Sequence, residues 1–162
     1  MNLVTALAIV IGALAVVATY ICLGLGTGLQ IWALFIAWGS FFHTGGDNDA
    51  LVKSLTAHVW GIIVATVALF VVGTVGGGAL MASVIVGISV VVLILGAHVP
   101  ALGAIPAGVY GYASTAAFML LTGVALTEMN ALLSAAGIIA VSMILGGIFG
   151  IVSGKIAGAL AK

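Results

Sequence analysis

QIWALFIAWGSFFHTGGDNDALVK, Gln30 to Lys53, is the stretch on which the reading of this chain turns. Trp32 and Trp38, Phe35, Phe41 and Phe42, His43, the Gly45-Gly46 pair and the acids Asp47 and Asp49 stand together here. On both sides the chain is apolar for long runs. A segment that mixes rings, hydroxyls and an imidazole between such runs is where a membrane bundle would handle a polar solute, because ionisable and amide groups in lipid usually face an interior or a cavity.

The composition makes lipid the main solvent. Of 162 residues, 65% are hydrophobic and 4% charged, and the mean hydropathy is +1.51. A soluble domain carries roughly 25% charged residues to keep its surface wetted. Three lysines, three acids and no arginine cannot do so.

A span needs about 20 mainly apolar residues. Six fit, at about 3–25, 29–45, 50–74, 79–98, 102–122 and 131–154. The expected fold is therefore an all-α integral membrane protein, a single domain over 1–162 built as a six-transmembrane-helix bundle. Short breaks rich in turn formers separate the spans: Gly24–Gly28, His43–Asp49, Gly73–Gly78, the His98-Val99-Pro100 corner and Thr127–Asn130. Asp47, Asn48 or Asp49 is expected to cap the third span, and Thr127 or Asn130 the sixth. The second span is the shortest, so it is expected to be tilted, broken or partly re-entrant. Leu3–Leu25 lacks a basic n-region and exceeds the 7–15 residues of a signal-peptide core, so it reads as a retained first helix.

With six spans, Lys53, Lys155 and Lys162 fall on one side together with both termini. The positive-inside rule makes that side cytoplasmic. Shifting the chain by half its length pairs Ala50-Leu51 with Ala131-Leu132 and Gly73 with Gly154. Two halves of three helices, about 1–75 and 79–162, would then run in opposite directions. That is the inverted-repeat plan of many transporters, which place their site at mid-membrane between the halves.

In lipid, close helix contact needs small side chains. Gly146, Gly150, Gly154 and Gly158 recur every fourth residue and form one such stripe, suited to intramolecular packing or to a homo-oligomer contact. Gly103, Ala107, Gly111 and Thr115 form another, and Ala57, Gly61 and Ala65 a third.

The candidate solute-lining residues are Trp38, Ser40, Phe42 and His43 on the second span, with Tyr110, Tyr112 and Ser114 in the segment PAGVYGYASTAAF. Aromatic rings set a diameter, while hydroxyl and imidazole groups replace lost water, the combination on which pore selectivity rests. Trp32 and Trp60 read as interfacial or packing residues. His43 and His58 are the proton-relay candidates, since an unperturbed imidazole titrates near pH 6.5. Pro106 removes a donor and would free a carbonyl at that depth unless it lies in a first helical turn.

Several functions are excluded. No Ser-His-Asp spacing, HExxH or P-loop occurs, so an enzyme is not expected. The histidines have no Cys or carboxylate at ligand spacing, so neither a metal nor another cofactor is expected. The absence of arginine and of basic runs removes nucleic acid as a partner. Cys22 is a small packing residue without a partner for a disulfide. All three acids map to loops, which favours passive conduction over ion coupling.

The run WALFIAWGSFFHTGG, followed by a cap-rich loop and the segment PAGVYGYAS, resembles the YcdZ-like family of small bacterial inner-membrane proteins, a domain of unknown function. The resemblance implies a multi-helix protein of the bacterial cytoplasmic membrane and brings no substrate or site residues with it. The expected function is a channel or facilitator for a small uncharged polar solute. The alternatives are a proton-coupled solute transporter and a structural or regulatory subunit without a pathway.

Overall fold

The computed structural model describes Met1–Ala161; Lys162, which enters the orientation argument above, lies outside the described residues. Six α-helices account for most of the described chain, with no strand among the described residues. They are α1 (Leu3–Thr19, continued by a π turn over Tyr20–Gly24), α2 (Ile31–Thr44), α3 (Asn48–Val75), α4 (Gly78–Leu95), α5 (Ile105–Leu121) and α6 (Met129–Leu160). Two short 3-10 turns, Gly96–His98 and Pro100–Leu102, join α4 to α5.

Uniformly apolar sequence forms helices because a helix satisfies its backbone groups within the segment. Local chemistry sets the ends. Asn2 Oδ1 accepts from the Thr5 amide at 2.8 Å and caps α1. Asp47 Oδ1 accepts from the Ala50 amide at 2.7 Å and caps α3, as the cap-rich loop suggests. At α6 the expectation fails: Glu128 stands at the N-cap without a side-chain bond, so neither Thr127 nor Asn130 caps it. Pro106 occupies the first turn of α5, where its missing amide breaks no helical bond and its fixed φ suits the helix. The first-turn alternative therefore holds, and the proline frees no carbonyl inside the helix.

Four helical segments are long and apolar enough to cross a membrane: Leu3–Gly24, Asn48–Val75, Gly78–His98 and Met129–Leu160. The other two, α2 with 14 residues and α5 with 17, are shorter. At 1.5 Å per residue they reach about 21 and 25 Å, less than a hydrocarbon core of about 30 Å. The second span is an unbroken short helix, and the fifth is short as well. Outward faces carry large apolar side chains, for instance Leu80, Val84, Ile88, Val91 and Leu95 along α4. Such a surface is compatible with a membrane protein and would drive aggregation in water.

The packing order is crossed. The long helices α3 and α6 meet at the centre, and each short helix lies chiefly along the long helix of the other half: α2 on α6, α5 on α3. α1 flanks α6, and α4 flanks α3. Glycine makes the two crossed contacts possible. A Cβ on Gly61 of α3 would run into the Gly108 carbonyl and Tyr112 amide of α5, and one on Gly111 would meet the His58 carbonyl. A Cβ on Gly146 of α6 would meet the Leu34 carbonyl and Ala37 of α2, and one on Gly150 the Phe41 ring. Gly154 also faces Phe41 and Phe42, while Gly158 faces open space. Three glycines of that stripe thus serve packing within the chain. The two termini meet, with the Met1 amine 3.5 Å from the Leu160 carbonyl.

Candidate functional site

The end of α2 lies beside the start of α5, so the two short helices run in opposite directions. They touch sparsely. Gly39 offers no side chain, and Ala113 stands exposed nearby. The space they leave is a groove of about 520 Å³, lined on α2 by Trp32, Phe35, Ile36, Gly39, Ser40 and His43. Tyr110, Ala113, Ser114 and Ala117 of α5 form its other wall. A smaller cavity of about 210 Å³ at the Pro106 end shares Ser40 and His43 with it.

Four polar side chains reach the groove. His43 Nδ1 and the Tyr110 hydroxyl lie 3.2 Å apart across its mouth, joining α2 to α5. Ser40 Oγ is 2.9 Å from His58 Nε2, behind the α2 wall. His58 is 1% exposed, and its Nδ1 has no partner. Ser114 is 2% exposed, and its hydroxyl also has none. A buried polar group without a bond costs about 1–3 kcal/mol, so these two orphans are the costly atoms of the bundle.

Ser40, His43, Tyr110 and Ser114, each expected to line a solute path, share this one groove. Trp38, Phe42 and Tyr112 do not line it. Successive helical residues are about 100° apart, so positions two removed from Ser40 or Ser114 point to the opposite side. Trp38 is buried against Phe149 with ring centroids 5.2 Å apart, and its Nε1 donates to Ser153 Oγ at 2.9 Å. Phe42 packs edge-on to Phe41. The Tyr112 hydroxyl lies 2.8 Å from Ser89 Oγ and ties α5 to α4. The stretch WGSFFH therefore supplies two faces, and reading it as one lining overcounts.

Trp32, Phe35 and Ile36 line the groove without having been expected there. Trp32 Nε1 donates to Gln30 Oε1 at 3.2 Å, leaving its ring as wall. The spacing 32, 36, 39, 40, 43 is the helical period that would have placed it with His43. Trp60 donates to the Leu93 carbonyl at 3.0 Å and fastens the end of α4. The cleft of about 360 Å³ between α3 and α4 is almost wholly apolar. His98 is exposed at the α4–α5 corner, and Cys22 is buried and free. Among the described residues no cluster of His, Cys, Asp or Glu could hold a metal ion.

A family model described as a protein of unknown function (DUF1097) matches residues 8–158. No curated protein and no solved structure matches the chain.

Proposed function

We propose, for a chain that belongs to the DUF1097 family of proteins of unknown function, the role of a membrane channel or facilitator for a small uncharged polar solute. The observation that carries this reading is the convergence of Ser40, His43, Tyr110 and Ser114 on one groove between two short helices of an otherwise apolar bundle. A pair of unusually short apolar segments at corresponding places in two halves is the strongest sequence-level pointer to a transport site. Here α2 and α5 are such a pair. In this reading all six helices cross, the short ones with the help of Leu25–Gln30 and the Gly96–Ala104 turns.

The halves, about 1–75 and 79–162, are read as inverted repeats. The crossed packing supports this, because exchanging α1 with α4, α2 with α5 and α3 with α6 reproduces the main helix contacts, apart from the small α4–α5 contact, which has no like-sized α1–α2 counterpart. Glycine contacts set the register by pairing Gly61 with Gly146 and Leu34 with Gly108. That differs from a uniform half-length shift, because the end of α5, the link that follows it and the start of α6 are each longer than their counterparts around the α2–α3 link.

The protein resides, on this account, in a bacterial inner membrane with both termini cytoplasmic. The lysine distribution and the meeting of the chain ends support it. Phe35 and Ile36 line the groove and are exposed, and a second copy walls that open side in a homo-oligomer.

The His58–Ser40 bond favours one alternative, a proton-coupled transporter, since it links a buried imidazole to the groove wall. Flux in proteoliposomes separates the two. A channel gives downhill flux of neutral solutes that ignores a pH gradient and the membrane potential. Concentrative uptake driven by a proton gradient makes it the transporter. Flux no greater than in protein-free vesicles removes both.

A further inference from the structure

The two short helices carry the same four-residue pattern in the same register. Ala37-Trp38-Gly39-Ser40 on α2 corresponds to Gly111-Tyr112-Ala113-Ser114 on α5, by the pairing of Leu34 with Gly108 in the crossed contacts. Ser40 and Ser114 are therefore equivalent residues, one from each half, and both line the groove. Their surroundings differ. The pairing of Gly61 with Gly146 places Met143 of α6 where α3 has His58. His58 bonds Ser40 at 2.9 Å, whereas a thioether at the equivalent position is at best a weak acceptor.

Ser114 is also the exception among its own kind. Buried hydroxyls on helices normally bond a carbonyl three or four residues back, and Ser54, Thr66, Thr115, Ser142 and Ser153 all do. Among the described residues Ser114 is the one buried hydroxyl without a partner. Of the other polar groups in the groove, Ser40 bonds His58, and His43 Nδ1 and the Tyr110 hydroxyl bond each other, with the rest of the His43 ring at the exposed mouth.

We infer that Ser114 is the ligand-binding hydroxyl of the groove and that its ligand is a neutral molecule with an apolar body and a single hydrogen-bonding head. This deepens the pathway reading above and rests on it. A solute with several hydroxyls, or with a charge, would surrender its water shell to a largely apolar wall whose one unpartnered buried hydroxyl is Ser114. Each unreplaced bond then costs about 1–3 kcal/mol, and an unpaired charge far more. The remaining wall (Trp32, Phe35, Ile36, Ala113 and Ala117) suits an apolar body.

The test titrates the purified full chain with matched four-carbon probes, 1-butanol, erythritol and butylammonium, following tryptophan emission. Trp32 is the reporter, and W32F the control. The expected result is a saturable response to 1-butanol alone, lost in W32F and about 3- to 10-fold weaker in affinity in S114A. Because S114A removes an unpartnered group, its unfolding midpoint should be equal to or above that of the parent. Equal 1-butanol affinity in S114A, a non-saturable response, or erythritol binding as tightly overturns the inference. Proteoliposome flux keeps the two claims apart. Erythritol flux with no 1-butanol binding leaves the pathway and removes this ligand class. Saturable Ser114-dependent binding without flux of any neutral solute does the reverse.

Discussion

Ser40 and Ser114 differ by what stands behind them, and that difference fixes opposite signs for the same substitution. Ser40→Ala would leave His58 Nε2 buried without a partner, beside an Nδ1 that already has none. The expected cost is about 1–3 kcal/mol of stability, read as a lower midpoint in thermal or denaturant unfolding. Ser114→Ala, at the equivalent register, should lower nothing. Equal losses at the two positions would mean that Ser114 has a partner after all. At this scale the sequence is informative about residue type and poor about direction. That hydroxyl, imidazole and aromatic groups gather on two segments can be read directly. Which of them share a face requires the helical phase, and Trp38, Phe42 and Tyr112 fall half a turn away from the groove. The orphan state of Ser114 has no sequence signal, since it depends on the residue opposite.

Small-residue stripes are legible at the level of the helix because lipid supplies no other reason for a backbone to be left bare. Their partners are not legible. Gly146 and Gly150 lie on α2, and Gly61 and Gly111 join α3 to α5. Only coordinates reveal that each short helix crosses to the long helix of the other half. The prediction follows from what a methyl group would strike. Gly61→Ala drives into the carbonyl of Gly108 and the amide of Tyr112, neither of which can rotate aside, and should cost about 1–3 kcal/mol. Gly158→Ala meets nothing within 4 Å and should be neutral. Comparing the two unfolding midpoints in one detergent checks it; equal midpoints would mean that α3 and α5 are not in close contact.

For the molecule as a whole, composition alone makes the case for lipid, and hydropathy finds all six helices. Helix lengths were less accessible. The fifth span reads as 102–122, yet α5 begins only at Ile105, after the Pro100–Leu102 turn and the Gly103-Ala104 link, while the Gly96–His98 turn shortens the end of the fourth. The consequence is two matched short helices facing one another, with Gly39 and Ala113 leaving a gap between them. Whether water or acyl chains fill that gap decides the account. Ala113 is exposed on the groove wall, and Cys22, the native thiol, is buried. In proteoliposomes, Ala113→Cys should react with a small membrane-impermeant thiol reagent, and neutral-solute flux should fall to the protein-free level. Reaction with a lipid-soluble maleimide alone, with flux unaffected by either reagent, would contradict the claim that a hydrated path runs between α2 and α5.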